Sequence, residues 1–298
     1  MDKEFQEDII QKFTTKNAIL AIILGIATLI LGQAISSVAY LLPLPKGVIS
    51  VIFSVLYIVI SYGFIRLCCI KILHVSMDEC FIVRPNVKMI WLIIAILLPV
   101  TVSAVLLCTS GEFVNNNVST SQAANIIINS IFIAGLASGV VEEMVFRGMI
   151  MKALEKRWGK IVAIIIPSII FALIHVIGRD LNIIDILILL VAGTSVGIMF
   201  SLIVYESGSV WSSALVHGTW NVIMIGKILD ISVSYHGDAI LSYKLYSKSF
   251  VITGGAFGVE SSMVATLGYI FVIALTFLLI KRNVKVRAGL ASRAGNIT

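Results

Sequence analysis

Charge is scarce in this chain. Only 13% of its 298 residues are charged, 59% are hydrophobic and the mean hydropathy is +1.05, whereas a soluble globular domain carries about 25% charged residues. No stretch is polar enough to build a soluble domain, which excludes a water-soluble globular enzyme and leaves a multi-pass membrane protein. The opening segment "MDKEFQEDIIQKFTTKN" mixes acids and bases. It has none of the basic, apolar, small-residue order of a cleaved signal peptide, so the first apolar run is expected to remain as a span. The four cysteines, Cys68, Cys69, Cys80 and Cys108, have no metal-like spacing and read as core thiols. The halves 1–120 and 123–281 share no internal repeat, which argues against a transporter built from inverted repeats.

Long apolar runs fill the space that charge leaves. A bilayer core takes about 20 apolar residues per helix, and eight runs qualify, near 18–42, 48–70, 89–109, 123–151, 160–178, 183–205, 209–229 and 261–281. The expected fold is all-α, a polytopic transmembrane bundle of about eight spans. With a cytosolic N-terminus, sixteen lysines and arginines fall on cytosolic segments: three before the first span, four at 66–88, four at 152–160 and five in the tail. Lys46, Arg179, Lys244 and Lys248 fall on the other side. That bias predicts cytosolic termini, and the plasma membrane is the expected location. Topology thus accounts for the net charge of +6. No nucleic-acid partner is called for, and the basic tail "KRNVKVRAGLASR" reads as a contact to anionic lipid.

Three sets of polar residues interrupt the apolar runs. In "VVEEMVFRGM" the span near 123–151 carries Glu142, Glu143 and Arg147. A charge at bilayer depth costs on the order of 3 kcal/mol and calls for a function and a partner. Glu143 and Arg147, four apart with the acid first, have the favourable spacing of a helical ion pair. Glu142 is turned about 100° from Glu143, on a face with Gly135, Ser138 and Gly139, which reads as room for water or a substrate backbone. Gly135 and Gly139, like Gly193 and Gly197, have the G-x-x-x-G spacing of close helix approach. The next span brings His175 one turn after Phe171, and the seventh stacks His217 and Asn221 on one face. At about 1.5 Å per residue all three sets fall near the bilayer middle.

Glu-Glu-x-x-x-Arg, then Phe-x-x-x-His, then His-x-x-x-Asn, each on its own apolar helix, resembles the CAAX protease and bacteriocin-processing family of intramembrane endopeptidases. The resemblance covers about residues 123–281, and the loop "GGAFGVESS" also looks like members of this family. It divides the chain into a tail with three spans at 1–122, a CAAX-protease-like core at 123–281 and a basic tail at 282–298. Peptide hydrolysis needs an activated water, an oxyanion donor and a proton for the leaving amine. Glu142 is the expected base, with His175 orienting the water and His217 and Asn221 donating to the oxyanion. The resemblance implies the same division of labour. Glu143 and Arg147 are expected to form a supporting ion pair, and Phe171 to pack.

Two histidines and a carboxylate can also hold zinc, with Glu142, His175 and His217 as ligands. The spacing of a His-Glu-x-x-His helix is absent, and asparagine is a poor zinc ligand, so no cofactor is expected. A non-catalytic membrane immunity or scaffold protein is the other reading, but it would not need all four polar groups. The substrate is expected to be a peptide or membrane protein. A prenylated CAAX terminus, a leader peptide and another protein's tail all stay open.

Overall fold

The computed structural model describes the backbone of residues 13–295 and the side chains of residues 13–284. The first part of the N-terminal tail and the side chains of the basic tail from residue 285 onward lie outside the described residues. Eight main helices follow one another. They are α1 (Thr15–Leu41), α2 (Lys46–Leu73), α3 (Met89–Leu107), α4 (Thr120–Trp158), α5 (Lys160–Ile174), α6 (Ile183–Ser207), α7 (Val210–Met224) and α8 (Met263–Gly295).

Six of these, α1 to α4, α6 and α8, are long and apolar enough to cross a membrane. This bears out the helical, multi-pass architecture but not the full count of eight. Helices α5 and α7 have only 15 residues each, about 22 Å against a hydrocarbon core of about 30 Å. Both start at the end of the bundle where α4 and α6 stop, separated from them only by Gly159 and by Gly208 and Ser209. Hydropathy alone does not mark their ends, because apolar residues continue through Ile177 and Ile225.

Helix α4 is not uniform. Its α-helical turn at Gly139–Glu143 is flanked by π-helical stretches at Ser130–Ser138 and Met144–Ile150. Such widened turns are frequent at functional sites. Helix α5 runs through Pro167 and α3 through Pro99.

A three-stranded sheet is an addition to the expected all-α fold. Strand β1 (Gly111–Asn115) pairs antiparallel with β3 (Leu241–Leu245), which pairs in parallel with β2 (Leu229–Ser232). Tyr243 on β3 packs edge-on against Phe113, with ring centroids 4.8 Å apart, and its hydroxyl donates to the Thr109 carbonyl. The sheet thereby ties the joint after α3 to the one after α7.

Two apolar clusters form the core. One gathers α1, α2, α4 and the loop at 75–82; the other gathers α3, α6, α8 and the sheet. Helix α7 is shared, with Val210 and Ala214 in the first and Val216, Trp220 and Met224 in the second. A polar residue in the middle of α7 therefore sits at the junction of both clusters. Of the cysteines, Cys68, Cys69 and Cys80 are buried as expected, whereas Cys108 is exposed.

Candidate active site

Glycine sets the distance between α4 and α7. A Cβ on Gly218 would lie 2.7 Å from the Gly135 carbonyl oxygen, and one on Gly139 would lie 2.9 Å from the Gly218 nitrogen. The small face of α4 is therefore filled by the backbone of α7. It does not leave the room for water or substrate that its composition suggests. Gly193 and Gly197 on α6 play the expected packing role, against Ala172 and Ser168 of α5.

That close approach carries His217 to the two glutamates. Its Nδ1 lies 3.0 Å from Glu143 Oε1, and its Nε2 lies 3.9 Å from Glu142 Oε2. One imidazole thus spans both acids, a relation that motif spacing does not encode. Glu143 also forms the expected ion pair, with Arg147 Nη1 2.9 Å from the same Oε1 and both side chains fully buried. Arg147 further donates to the Gly197 carbonyl at 3.3 Å. Its guanidinium lies 4.6, 5.1 and 5.6 Å from the ring centres of Phe171, Phe200 and Phe146. Burial of the pair is offset by the opposite charge, the Gly197 carbonyl and the aromatic faces, although Glu143 Oε2 and Arg147 Nε take no hydrogen bond from the described residues.

Glu142 is held on its other side. Ser138 donates to Oε1 at 2.5 Å, whereas Oε2 is buried and takes no hydrogen bond from the described residues. The sequence marked Ser138 only as small; its hydroxyl is what fixes the acid.

The remaining expected residues meet around a small cavity between α5, α6, α7 and α8, lined by Phe171, His175, His217 and Asn221 among others. His175 is not in mid-helix, as the apolar run implies, but caps the C-terminus of α5. Its Nδ1 lies 2.7 Å from the Phe171 carbonyl oxygen. A proton on Nδ1 donates there and leaves Nε2 as an acceptor. Asn221 Nδ2 donates to the Ala134 carbonyl at 2.9 Å, which commits one of its two amide hydrogens. Phe200 stacks on His217 with centroids 4.8 Å apart and planes 18° apart. Phe171 meets His217, His175 and Arg147 at once, so its place in the motif is to wedge the three together.

The cavity lies beside the ends of α5 and α7, and Ile225 and the loop at 254–262 line it. Irregular backbone at such depth is tolerable where it lines a polar cavity. The loop at 254–262 brings in Phe257 and Glu260, neither of which the motifs single out. Its backbone is strapped to α6 by Asp185, which is 2% exposed and accepts from Asn182 N and Ala256 N. Glycines at 254, 255 and 258 all have positive φ, as the turn requires.

Helices of this length around a buried set of acid, imidazole and amide groups define an integral membrane protein with a polar site enclosed among its helices. Residues 124–223 match the family model described as type II CAAX prenyl endopeptidase, Rce1-like. That segment holds all seven motif residues, from Glu142 to Asn221, so the resemblance read from them holds. The match supports a peptidase of the CAAX-protease type embedded in the membrane. No curated protein and no solved structure matches the chain.

Proposed function

We propose that this protein is an intramembrane endopeptidase that cleaves a peptide bond with a water activated by Glu142. The observation that carries the reading is the single imidazole of His217 between two carboxylates, one of them already neutralised by Arg147. Glu143 is fully buried, with Arg147 and His217 Nδ1 both on its Oε1, and its Oε2 takes no hydrogen bond from the described residues. Glu142 Oε2 is unbonded too, but its side chain keeps 18% exposure and it faces His217 Nε2. Its separation of 3.9 Å from His217 Nε2 is too long for a hydrogen bond and suits two groups that share one water.

Glu142 takes a proton from that water as it attacks the scissile carbonyl, and His175 Nε2 accepts the water's second hydrogen. In the imidazolium form of His217 both ring nitrogens donate, Nδ1–H to Glu143 and Nε2–H to the developing oxyanion. Asn221 supplies its second amide hydrogen to the same oxygen. Glu142 then returns its proton to the leaving amine. Each oxyanion donor is worth about 10²–10³ in rate.

The zinc reading would need three donors aimed at one point. Among the described residues no three His, Cys, Asp or Glu side chains are arranged to hold one metal ion. Glu143 takes His217 Nδ1 and so leaves only Nε2 open to a ligand or an oxyanion. The test is hydrolysis of a peptide library by the protein reconstituted in nanodiscs, beside Glu142→Gln. The wild type is expected to cleave and the variant to lose turnover while folding normally; substantial activity in Glu142→Gln removes the proposed base. The bias of basic residues also favours cytosolic termini. A reporter fused after Glu155 is expected to read cytosolic, and an external reading there reverses the topology.

A further inference from the structure

The same cavity contains a carboxyl that the reaction does not use. Glu260 lies outside the segment matched by the family model and lines the cavity together with His175, His217 and Asn221. Two cations lie near it, and both are engaged elsewhere. Lys227 Nζ sits 3.0 Å from Asp230 and 3.4 Å from Asp238. Arg179 lies over the Phe257 ring, 4.4 Å from its centre. Among the described residues no cation comes within ion-pair distance of Glu260.

Its position is fixed all the same. Tyr269 donates to the Glu260 carbonyl at 2.9 Å, Ser261 donates to the carbonyls of Gly254 and Gly258, and Asp185 holds the loop at Ala256. The cavity walls beside it are aromatic and aliphatic, including Phe171, Trp220, Phe257 and Leu189. An apolar sleeve with one carboxyl at its loop end suits a side chain with a long apolar stem and a cationic head, since such a chain can bury its methylenes while its charge finds a partner.

We propose that this cavity is a side-chain subsite for a lysine or arginine of the peptide substrate, and that Glu260 is the specificity residue that receives its charged head. The assignment rests on the peptidase reading above for the identity of the ligand as a substrate. The subsite itself can be tested without turnover.

Burial pushes the Glu260 carboxyl up to about 7, with Arg179 and Lys227 pulling down against it and Asp230 adding to the rise. The other titratable groups facing the cavity are His175 from α5, His217 from α7 and Tyr269 from α8; α6 contributes apolar residues only. A cation is held by the ionised carboxylate. That form fills as pH rises through about 7, so preference for a basic side chain strengthens toward pH 8 and fades toward pH 5.5.

The experiment measures binding of four fluorescent hexapeptides that differ at one position, Lys, Arg, norleucine or Glu, to full-length Glu142→Gln protein in nanodiscs. At pH 8 the Lys and Arg peptides are expected to bind roughly tenfold to a hundredfold more tightly than the norleucine peptide, the range for a hydrogen bond to a charged group. The ratio is expected to shrink at pH 5.5, to fall to about one when Glu260→Gln is added, and to recover in part with Glu260→Asp. Equal binding of the Lys and norleucine peptides at pH 8, or a ratio that survives Glu260→Gln, overturns the proposal. If the Gln variant does not fold, the Glu260→Asp variant at pH 8 decides, and a ratio unchanged by that substitution overturns the proposal. Incubating the same peptides with wild-type protein separates the two ideas. A binding preference without any cleavage leaves the subsite standing and removes the peptidase reading.

Discussion

Replacing Glu143 by glutamine tests whether the three charges of α4 divide into one reacting group and one structural pair. The substitution leaves the Arg147 cation fully buried. Losing one partner of a buried pair costs about 3–5 kcal/mol. Arg147 keeps its bond to the Gly197 carbonyl and three phenylalanine faces at 4.6 to 5.6 Å, contacts worth about 2 kcal/mol when desolvated. The loss should therefore fall near the lower end, about 3 kcal/mol. Arg147→Met strands the Glu143 carboxylate, and its expected loss is at least as large. Changing both residues leaves no lone charge, and well-packed apolar replacements for a buried pair are often close to neutral. The double variant is thus expected within about 2 kcal/mol of wild type, better than either single change. Activity should not return with it. Glutamine in place of the carboxylate weakens the hold on His217 Nδ1, and losing a carboxylate that orients a functional imidazole costs about 10–100-fold in metal sites. Unfolding by detergent titration in mixed micelles gives the stabilities, and peptide hydrolysis gives the rates. A double variant less stable than both singles refutes the pairing argument; full activity in it refutes the role given to His217.

Gly218→Val should push α7 off α4, because its Cβ would fall 2.7 Å from the Gly135 carbonyl. A cost of about 1–3 kcal/mol and loss of turnover are expected, and thermal stability beside hydrolysis rates checks both. Asp185→Ala removes the acceptor of the Ala256 and Asn182 backbone N–H groups, so amide hydrogen exchange at 254–258 should rise markedly while helices α1 to α4 stay protected; unchanged exchange there would show that the strap is not needed. Dialysis against a strong chelator should leave activity intact, and activity lost and then restored by added zinc would recast His175 and His217 as ligands.

The Glu143–Arg147 pair was legible because it depends only on the helical period, which one continuous apolar run supplies. The shared surroundings of His175, His217 and Asn221 were legible as well, since each motif kept its polar groups on one face of one helix. The bond from His217 to Glu143 was not. It exists because Gly135, Gly139 and Gly218 let two backbones touch, and sequence spacing within a helix carries no information about which neighbour its small face meets. The ends of α5 and α7 were illegible for another reason: the residues after them are as apolar as those before, so hydropathy predicts a span where the chain stops one or two turns short. The sheet was hidden because its strands have four or five residues each and lie far apart along the chain. Glu260 was on the page as part of a glycine-rich loop, and only the fold of that loop over the cavity gives a lone acid its meaning.

Two adjacent glutamates would be a poor arrangement on a surface helix, where both could turn to the same water. Buried on α4, consecutive residues point about 100° apart, and that angle lets them serve different environments. Glu143 faces Arg147 and the three phenylalanines, a setting that admits no solvent and locks its charge. Glu142 faces Ser138 and retains 18% side-chain exposure. The imidazole of His217 joins the two through opposite ring nitrogens, so a fixed negative charge on one side constrains the ring that meets the variable one on the other. The short helices follow from the same need. Had α5 and α7 run the full thickness of the bilayer, His175 and Asn221 would lie in mid-helix, sealed by neighbouring turns. Ending early places both beside the cavity at the loop end of the bundle, while the charged pair on α4 stays fully buried.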